Sequence, residues 1–388
     1  MDIAKIDVIV FVSYCVLILA IGLYVSRNKD GKKKTAEDYF LAGKSLPWWA
    51  VGASLIAANI SAEQFIGMSG SGFALGLAIA SYEWMAALTL IIVGKYFLPI
   101  FIEKGLYTIP EFVEKRFSTN LKTILAVFWI ALYVFVNLTT VLYLGALALE
   151  TIMGIPMMYG ILGLALFAAA YSLYGGLSAV AWTDVIQVIF LVFGGLITTY
   201  LALNTLSDGE GFMVGLNIVY ETVPERFAMI LDKSNPEFNN LPGIGVLVGG
   251  MWVANLYYWG FNQYIIQRTL AAKSLKEAQK GILFAAFLKL IIPLIVVIPG
   301  IAAYVMINDP EIMARLGDVA LTNIPSLEQA DKAYPWLLQF LPTGMKGIAF
   351  AALAAAIVSS LASMLNSTST IFTMDIYKQY INPTANDK

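Results

Sequence analysis

Residues 46–76, LPWWAVGASLIAANISAEQFIGMSGSGFALG, are long enough to cross a bilayer, yet Asn59, Ser61, Glu63 and Gln64 stand at their centre. Polar and ionisable groups at membrane depth cost roughly 2.5 to 3.5 kcal/mol each on insertion scales and normally face a cavity or a partner. This stretch is therefore not a lipid-facing helix. Its small residues Gly52, Ala53, Ser54, Ala57, Ala58, Ser61 and Ala62, with Gly67, Gly70 and Gly72 beyond, permit close helix packing and an interrupted backbone. An interrupted helix frees carbonyls and amides to hold an ion or a solute near the midplane, as secondary transporters do. The pattern predicts a break between residues 55 and 65.

The rest of the chain suits such a site. At 59% hydrophobic and 13% charged residues, with a mean hydropathy of +0.75, its 388 residues read as a polytopic, all-α membrane protein. A net charge of −2 offers no basic face for nucleic acid, and the absence of His removes the commonest metal ligand and general base. The single Cys15 lies in an apolar run and reads as packing. The opening Met-Asp-Ile-Ala-Lys-Ile-Asp lacks the features of a signal peptide, so the first apolar segment is expected to stay.

Apolar segments of the length needed for ~30 Å of hydrocarbon fall near 8–25, 46–76, 77–101, 121–150, 155–174, 178–204, 241–266, 281–307 and 346–374. Alternate connections (26–45, 102–122, 267–280 and the tail after 375) hold sixteen of the 24 Lys and Arg. That asymmetry predicts an external N-terminus and a cytoplasmic C-terminus. The basic run 28–34 reads as a topology determinant at the headgroups, and Lys95 as a snorkelling helix-end lysine. Short surface helices are expected in the external connections 205–240 and 308–345.

The chain also carries a weak internal echo. Leu46-Pro47 precedes Ala58-Asn59-Ile60 much as Leu241-Pro242 precedes Ala254-Asn255-Leu256, with an odd number of spans between the two starts. An inverted-topology repeat with two interrupted first helices has this form, and so does chance similarity between apolar helices.

The blocks Glu37-Asp38-Tyr39-Phe40-Leu41-Ala42-Gly43-Lys44, Leu46-Pro47-Trp48-Trp49, Tyr107-Thr108-Ile109-Pro110-Glu111-Phe112, Tyr174-Gly175-Gly176-Leu177-Ser178-Ala179-Val180 and Trp182-Thr183-Asp184 recur in order along the chain. In these blocks the chain resembles the sodium/solute symporter family, closest to its bacterial sodium/galactose (sodium/glucose-type) branch. The resemblance implies an inverted five-helix-repeat symporter fold with discontinuous first helices. The divisions are then a leading helix and basic loop (1–45), a first five-helix repeat (46–204), an external loop (205–240), three helices of the second repeat (241–374) and a cytoplasmic tail (375–388). The second repeat would thus be incomplete, which suggests a C-terminally truncated form.

Sodium prefers several oxygens, which carbonyl dipoles and hydroxyls can supply without formal charge. The interrupted helix offers the Ala57 and Ile60 carbonyls, and span 346–374 offers Ala356, Ser359 and Ser360 on one face. By themselves such serines can equally bond back to the preceding turn; the resemblance places its sodium site on these five residues. A hydroxyl-rich solute needs directional donors, acceptors and aromatic faces. Glu83 and Lys289, each about two turns inside its span, should be paired with each other or bonded to solute. With Gln64 and Asn255 they look like the family's hexose-binding set, while Ala86 stands where relatives place a serine. A structural ion pair is the competing reading.

By resemblance Tyr258 is an inner gate that stacks on the sugar and is tied to Asn59, with Trp259 beside it. Met68 and Tyr82 are weaker candidates for an outer lid. Asp184 is either a sodium relay on the exit path or a helix-start carboxylate, and Glu63 reads as a cap on the second half-helix. The resemblance implies a symporter of the cell's inner (plasma) membrane whose partners are sodium, a small hexose and the lipid bilayer, with no cofactor beyond the coupling ion. The rival is a non-transporting solute-binding sensor or assembly partner. An enzyme is disfavoured by the lack of His and of a Gly-x-Ser-x-Gly elbow in the spans.

Overall fold

Within hydrocarbon, backbone amides and carbonyls must be satisfied by the chain itself. The chain does so with helices. The computed structural model describes residues 4–27, 34–241 and 243–385, and among these there is no β-strand, only an isolated bridge between Leu46 and Ala272. The expected basic run at 28–34 (Lys34 apart), Pro242 and the tail residues Asn386, Asp387 and Lys388 lie outside the described residues.

Among the described residues seven helices are long and apolar enough to cross a membrane. We label the elements in chain order. The leading helix α1 is Lys5–Ser26. The interrupted segment follows as α2, Trp48–Asn59, and α3, Ser69–Leu75, joined through a wide π turn at Glu63–Met68. Then come α4 (Leu77–Glu103) and α5 (Thr119–Glu150). Helix α6, Met157–Leu206, holds two of the expected spans end to end, divided at Gly176. There φ is +59°, and a Cβ would stand 2.3 Å from the Tyr39 carbonyl oxygen, so only glycine fits. Helix α7 runs through Val246–Gly250, Met251–Leu256 and Tyr257–Phe261, and α8 is Gln263–Leu270. Helix α9 is Leu275–Asn308, and α10, Met345–Ile371, continues through a π segment, Phe372–Ile381. The long connections carry short helices at Phe212–Thr222, Pro310–Leu316 and Ala333–Leu338.

The first break falls where expected. Ile60 leaves helical geometry (φ −79°, ψ 107°). The second is displaced from its expected place: Asn255 lies inside a continuous helical turn and donates to the Met251 carbonyl at 3.1 Å. The chain opens instead at Asn262 (φ −83°, ψ 119°). The echo around Ala254-Asn255 marks similar sequence but not the second break. The reason lies in who can satisfy the freed groups. At Asn262 the Tyr133 hydroxyl donates to the side-chain oxygen at 2.6 Å and accepts the Gln263 amide at 3.1 Å.

Helix α6 packs along α10 and α1, while α9 packs along α2, α3 and α4. The first half-helix is buried almost throughout, from Ala50 to Asn59. Asp7 of α1 is 1% exposed and its Oδ1 accepts the Gly344 and Gly347 amides at 2.7 and 2.8 Å. The leading helix thereby caps the start of α10 from outside. Helix α9 meets α3 so closely that a Cβ on Gly300 would stand 2.0 Å from the Ser69 carbonyl oxygen, whereas one on Gly163 would meet nothing within 4 Å. Gly300→Ala is therefore expected to destabilise by about 1 to 3 kcal/mol, and Gly163→Ala to be near neutral, as read by thermal unfolding in detergent micelles.

Candidate functional site

Where α2 ends, the backbone amide of Ser61 has no helical acceptor. Gln64 Oε1 takes it at 2.9 Å and also accepts the Ser61 hydroxyl at 3.2 Å, while Ser61 Oγ accepts the Glu63 amide at 3.0 Å. These local bonds close the break on its α3 side. Glu63 is thus not the expected cap: its carboxylate takes no backbone amide, because Ser61 and Gln64 already do so, and the side chain is exposed.

A cavity of about 210 Å³ opens beside the break. The π turn supplies Gln64, Met68 and Glu63; α4 supplies Tyr82, Glu83 and Ala86; α7 supplies Ala254, Asn255, Tyr258 and Trp259; α9 supplies Lys289; and α2 ends in it with Asn59. Every residue expected to bind solute or gate it therefore lines one space. Tyr82, 39% exposed, forms part of its rim. Ala86 offers no hydroxyl at its own position on the α4 wall.

The cavity's charged pair is desolvated and tightly bonded. Lys289 Nζ donates to Glu83 Oε2 and to Asn59 Oδ1, with 1% of the lysine and 4% of the glutamate exposed. The ammonium also lies 5.1 Å from the Trp259 ring centroid. Asn59 Nδ2 in turn donates to the Tyr258 hydroxyl at 2.9 Å. That hydroxyl shares a 2.6 Å bond with Tyr264. One chain of hydrogen bonds thus joins α4, α9, α2, α7 and α8.

A second polar cluster lies on the other side of α2. Ala57, Ile60, Ala356, Ser359 and Ser360 are all fully buried. Ser360 Oγ donates to the Ala58 carbonyl at 2.9 Å, which holds α10 against the open end of α2. Ser359 Oγ donates to Asp184 Oδ1 at 2.5 Å, and Ser54 Oγ to Asp184 Oδ2 at 2.5 Å. Asp184 is not a helix-start carboxylate, since it binds side chains of α2 and α10 instead of free amides at a helix end.

Arg268 completes this cluster and was not expected in it. Counted among the cytoplasmic loop charges, it is instead fully buried. It donates to Ser54 Oγ at 2.9 Å, to the Tyr264 carbonyl and to Ser363 Oγ, and lies 3.7 Å from Asp184. Such a cation cannot serve as a headgroup charge. Its signal was the unusually polar run Gln263 to Thr269 adjoining an apolar span. Lys95 behaves as expected, exposed beside the Tyr96 ring.

A broken first helix, a walled solute-sized cavity and a hydroxyl-lined second cluster define a secondary transporter. The chain belongs to the sodium:solute symporter family, whose profile matches residues 39–388. It is 74% identical over 382 residues to the sodium/glucose cotransporter of Vibrio parahaemolyticus, a match spanning 98% of this chain and 70% of that one. It is 36% identical to sodium/myo-inositol cotransporter 2 of Bos taurus, spanning 98% of this chain and 58% of the relative. Among solved structures it matches a Na⁺-coupled sialic acid symporter in a substrate-bound outward-open state, with TM-score 0.85 and 26% identity, over 98% of this chain and 76% of that one. The chain is thus a multi-pass membrane protein with the symporter fold.

Breaking the Glu83–Lys289 pair from one side should cost more than removing both partners. Lys289→Ala leaves a buried carboxylate without its cation, and about 3 to 5 kcal/mol of stability should be lost. Glu83→Ala combined with Lys289→Ala should recover part of that loss in a double-mutant cycle measured by unfolding in detergent.

Proposed function

We propose that this chain couples sodium influx to uptake of a hexose, galactose or glucose, by alternating access. The observation that carries the reading is the convergence of Gln64, Glu83, Asn255, Lys289 and Tyr258 on one cavity beside the interrupted helix. The relatives' names support it: a sodium/glucose cotransporter at 74% identity and a Na⁺-coupled symporter of the same fold. The cavity residues supply amide and carboxylate groups and aromatic faces, the chemistry that exchanges a sugar's water for protein partners.

In this reading sodium is held by the carbonyls of Ala57, Ile60 and Ala356 and the hydroxyls of Ser359 and Ser360. To reach the ion, Ser359 must leave its bond to Asp184, so Asp184 and the ion compete for one hydroxyl and Asp184 relays the cation along the exit path. Sodium selects the state in which α2 and α10 hold this geometry, and acts on the equilibrium only through its differential affinity for the two states. Because Asn59 ends the same half-helix, that selection reaches Lys289 and Tyr258. Tyr258 and Trp259 close the inner side, and Met68 and Tyr82 the outer side. The excess of Lys and Arg in alternate connections, even with the buried Arg268 set aside, favours an external N-terminus and a cytoplasmic C-terminus in the inner (plasma) membrane.

The test is uptake into proteoliposomes under an inward sodium gradient. Accumulation of galactose or glucose that collapses with the gradient supports symport; binding without accumulation would favour a non-transporting sensor or assembly partner. Ser359→Ala with Ser360→Ala should raise the half-saturating sodium concentration by at least about tenfold, which is roughly 1.4 kcal/mol of lost cation binding. Gln64→Ala should lower the apparent sugar affinity at saturating sodium. Sodium dependence retained in the serine double variant would remove the cation assignment.

A further inference from the structure

Three acidic or basic side chains border the cavity: Glu63, Glu83 and Lys289. Two of them neutralise each other. Lys289 gives its ammonium to Glu83 and Asn59 and rests against the Trp259 ring, with 1% of its surface exposed. Its charge is already shared between Glu83 and Asn59. Glu63 differs in every respect. Its backbone amide is held by Ser61 Oγ at 3.0 Å, but its carboxylate makes no hydrogen bond or ion pair among the described residues, and the side chain is exposed on the cavity wall. The space beside the break therefore carries a formal charge of −1.

We infer that Glu63 sets the charge preference of the solute site, admitting neutral sugars, favouring sugars that bear an ammonium group, and rejecting sugars that bear a carboxylate. The inference rests on the sugar-uptake reading above. Within a low-dielectric site a unit charge is felt far more strongly than in water. A carboxylate without a partner at membrane depth gains from any cation brought to it. An ammonium on the sugar ring would supply that cation together with charge-assisted N–H donors. A uronate would set a second carboxylate in about 210 Å³ beside the first, with Lys289, the only cation bordering the cavity among the described residues, already bonded to Glu83. Selection against such a solute needs no clash of shape, because like charge without compensation suffices. The five residues assigned to sodium carry no formal charge themselves, and the cation they would hold is common to the unaltered chain and Glu63→Gln, so a difference between the two reports Glu63.

The experiment compares inhibition of labelled galactose uptake by galactosamine and by galacturonate, in proteoliposomes of the unaltered chain and of Glu63→Gln. In the unaltered chain galactosamine should inhibit at least as well as unlabelled galactose, and galacturonate at least tenfold worse. In Glu63→Gln the galactosamine-to-galactose inhibition ratio should shift at least tenfold against the amino sugar, and galacturonate should gain. The ratio is the readout, so a general loss of affinity or folded protein does not imitate the result. Should the unaltered chain accumulate no hexose, the transport reading fails separately. The charge preference is then read by displacement of labelled galactosamine from detergent-solubilised protein. Equal ratios in the unaltered chain and Glu63→Gln, by either assay, overturn the inference.

Discussion

Opening a helix inside hydrocarbon leaves backbone groups that water cannot reach, and this protein satisfies them from neighbouring elements. At the first break Gln64 takes the Ser61 amide and Ser360 takes the Ala58 carbonyl. At the second, Tyr133 serves both the side chain of Asn262 and the amide of Gln263. Each break is thus also a joint. The first binds α2 to α10, and the second binds the junction of α7 and α8 to α5. Without these donors and acceptors the freed groups would stand unpaired in the membrane interior.

The two polar clusters lie along one short half-helix. Asn59 faces the cavity through Lys289 and Tyr258. Ser54, somewhat over one turn earlier, faces Asp184 and Arg268. A shift or tilt of α2 must disturb both clusters together, because its buried residues from Ala50 onward leave little freedom to move one end alone. Coupling between the two clusters then needs no distant pathway. It requires only that both clusters grip the same rod.

Much of this arrangement was legible in the chain, and the residues show why. Polar side chains in an apolar stretch are informative because lipid penalises them, so Asn59, Gln64, Glu83 and Lys289 stood out and all line the cavity. The division of 157–206 falls between the expected spans 155–174 and 178–204, at Gly176, where only glycine tolerates the turn. What stayed hidden depended on partners distant in sequence. The break at Asn262 is chosen by Tyr133, more than a hundred residues earlier. Arg268 looked like a loop charge because its acceptors Ser54 and Ser363 come from other helices. Glu63 looked like a cap because helix-end carboxylates usually are, and only the bonds made by Ser61 and Gln64 show that the position was already filled.

The contact of Asp7 with the start of α10 places the leading helix in a different light. A buried carboxylate holding two amides of another helix acts as a rivet. Helices α1, α6 and α10 also lie against one another. They share one frame, and a marker on the exposed face of α1 would report any movement of the serine-bearing helix without touching Ser359 or Ser360.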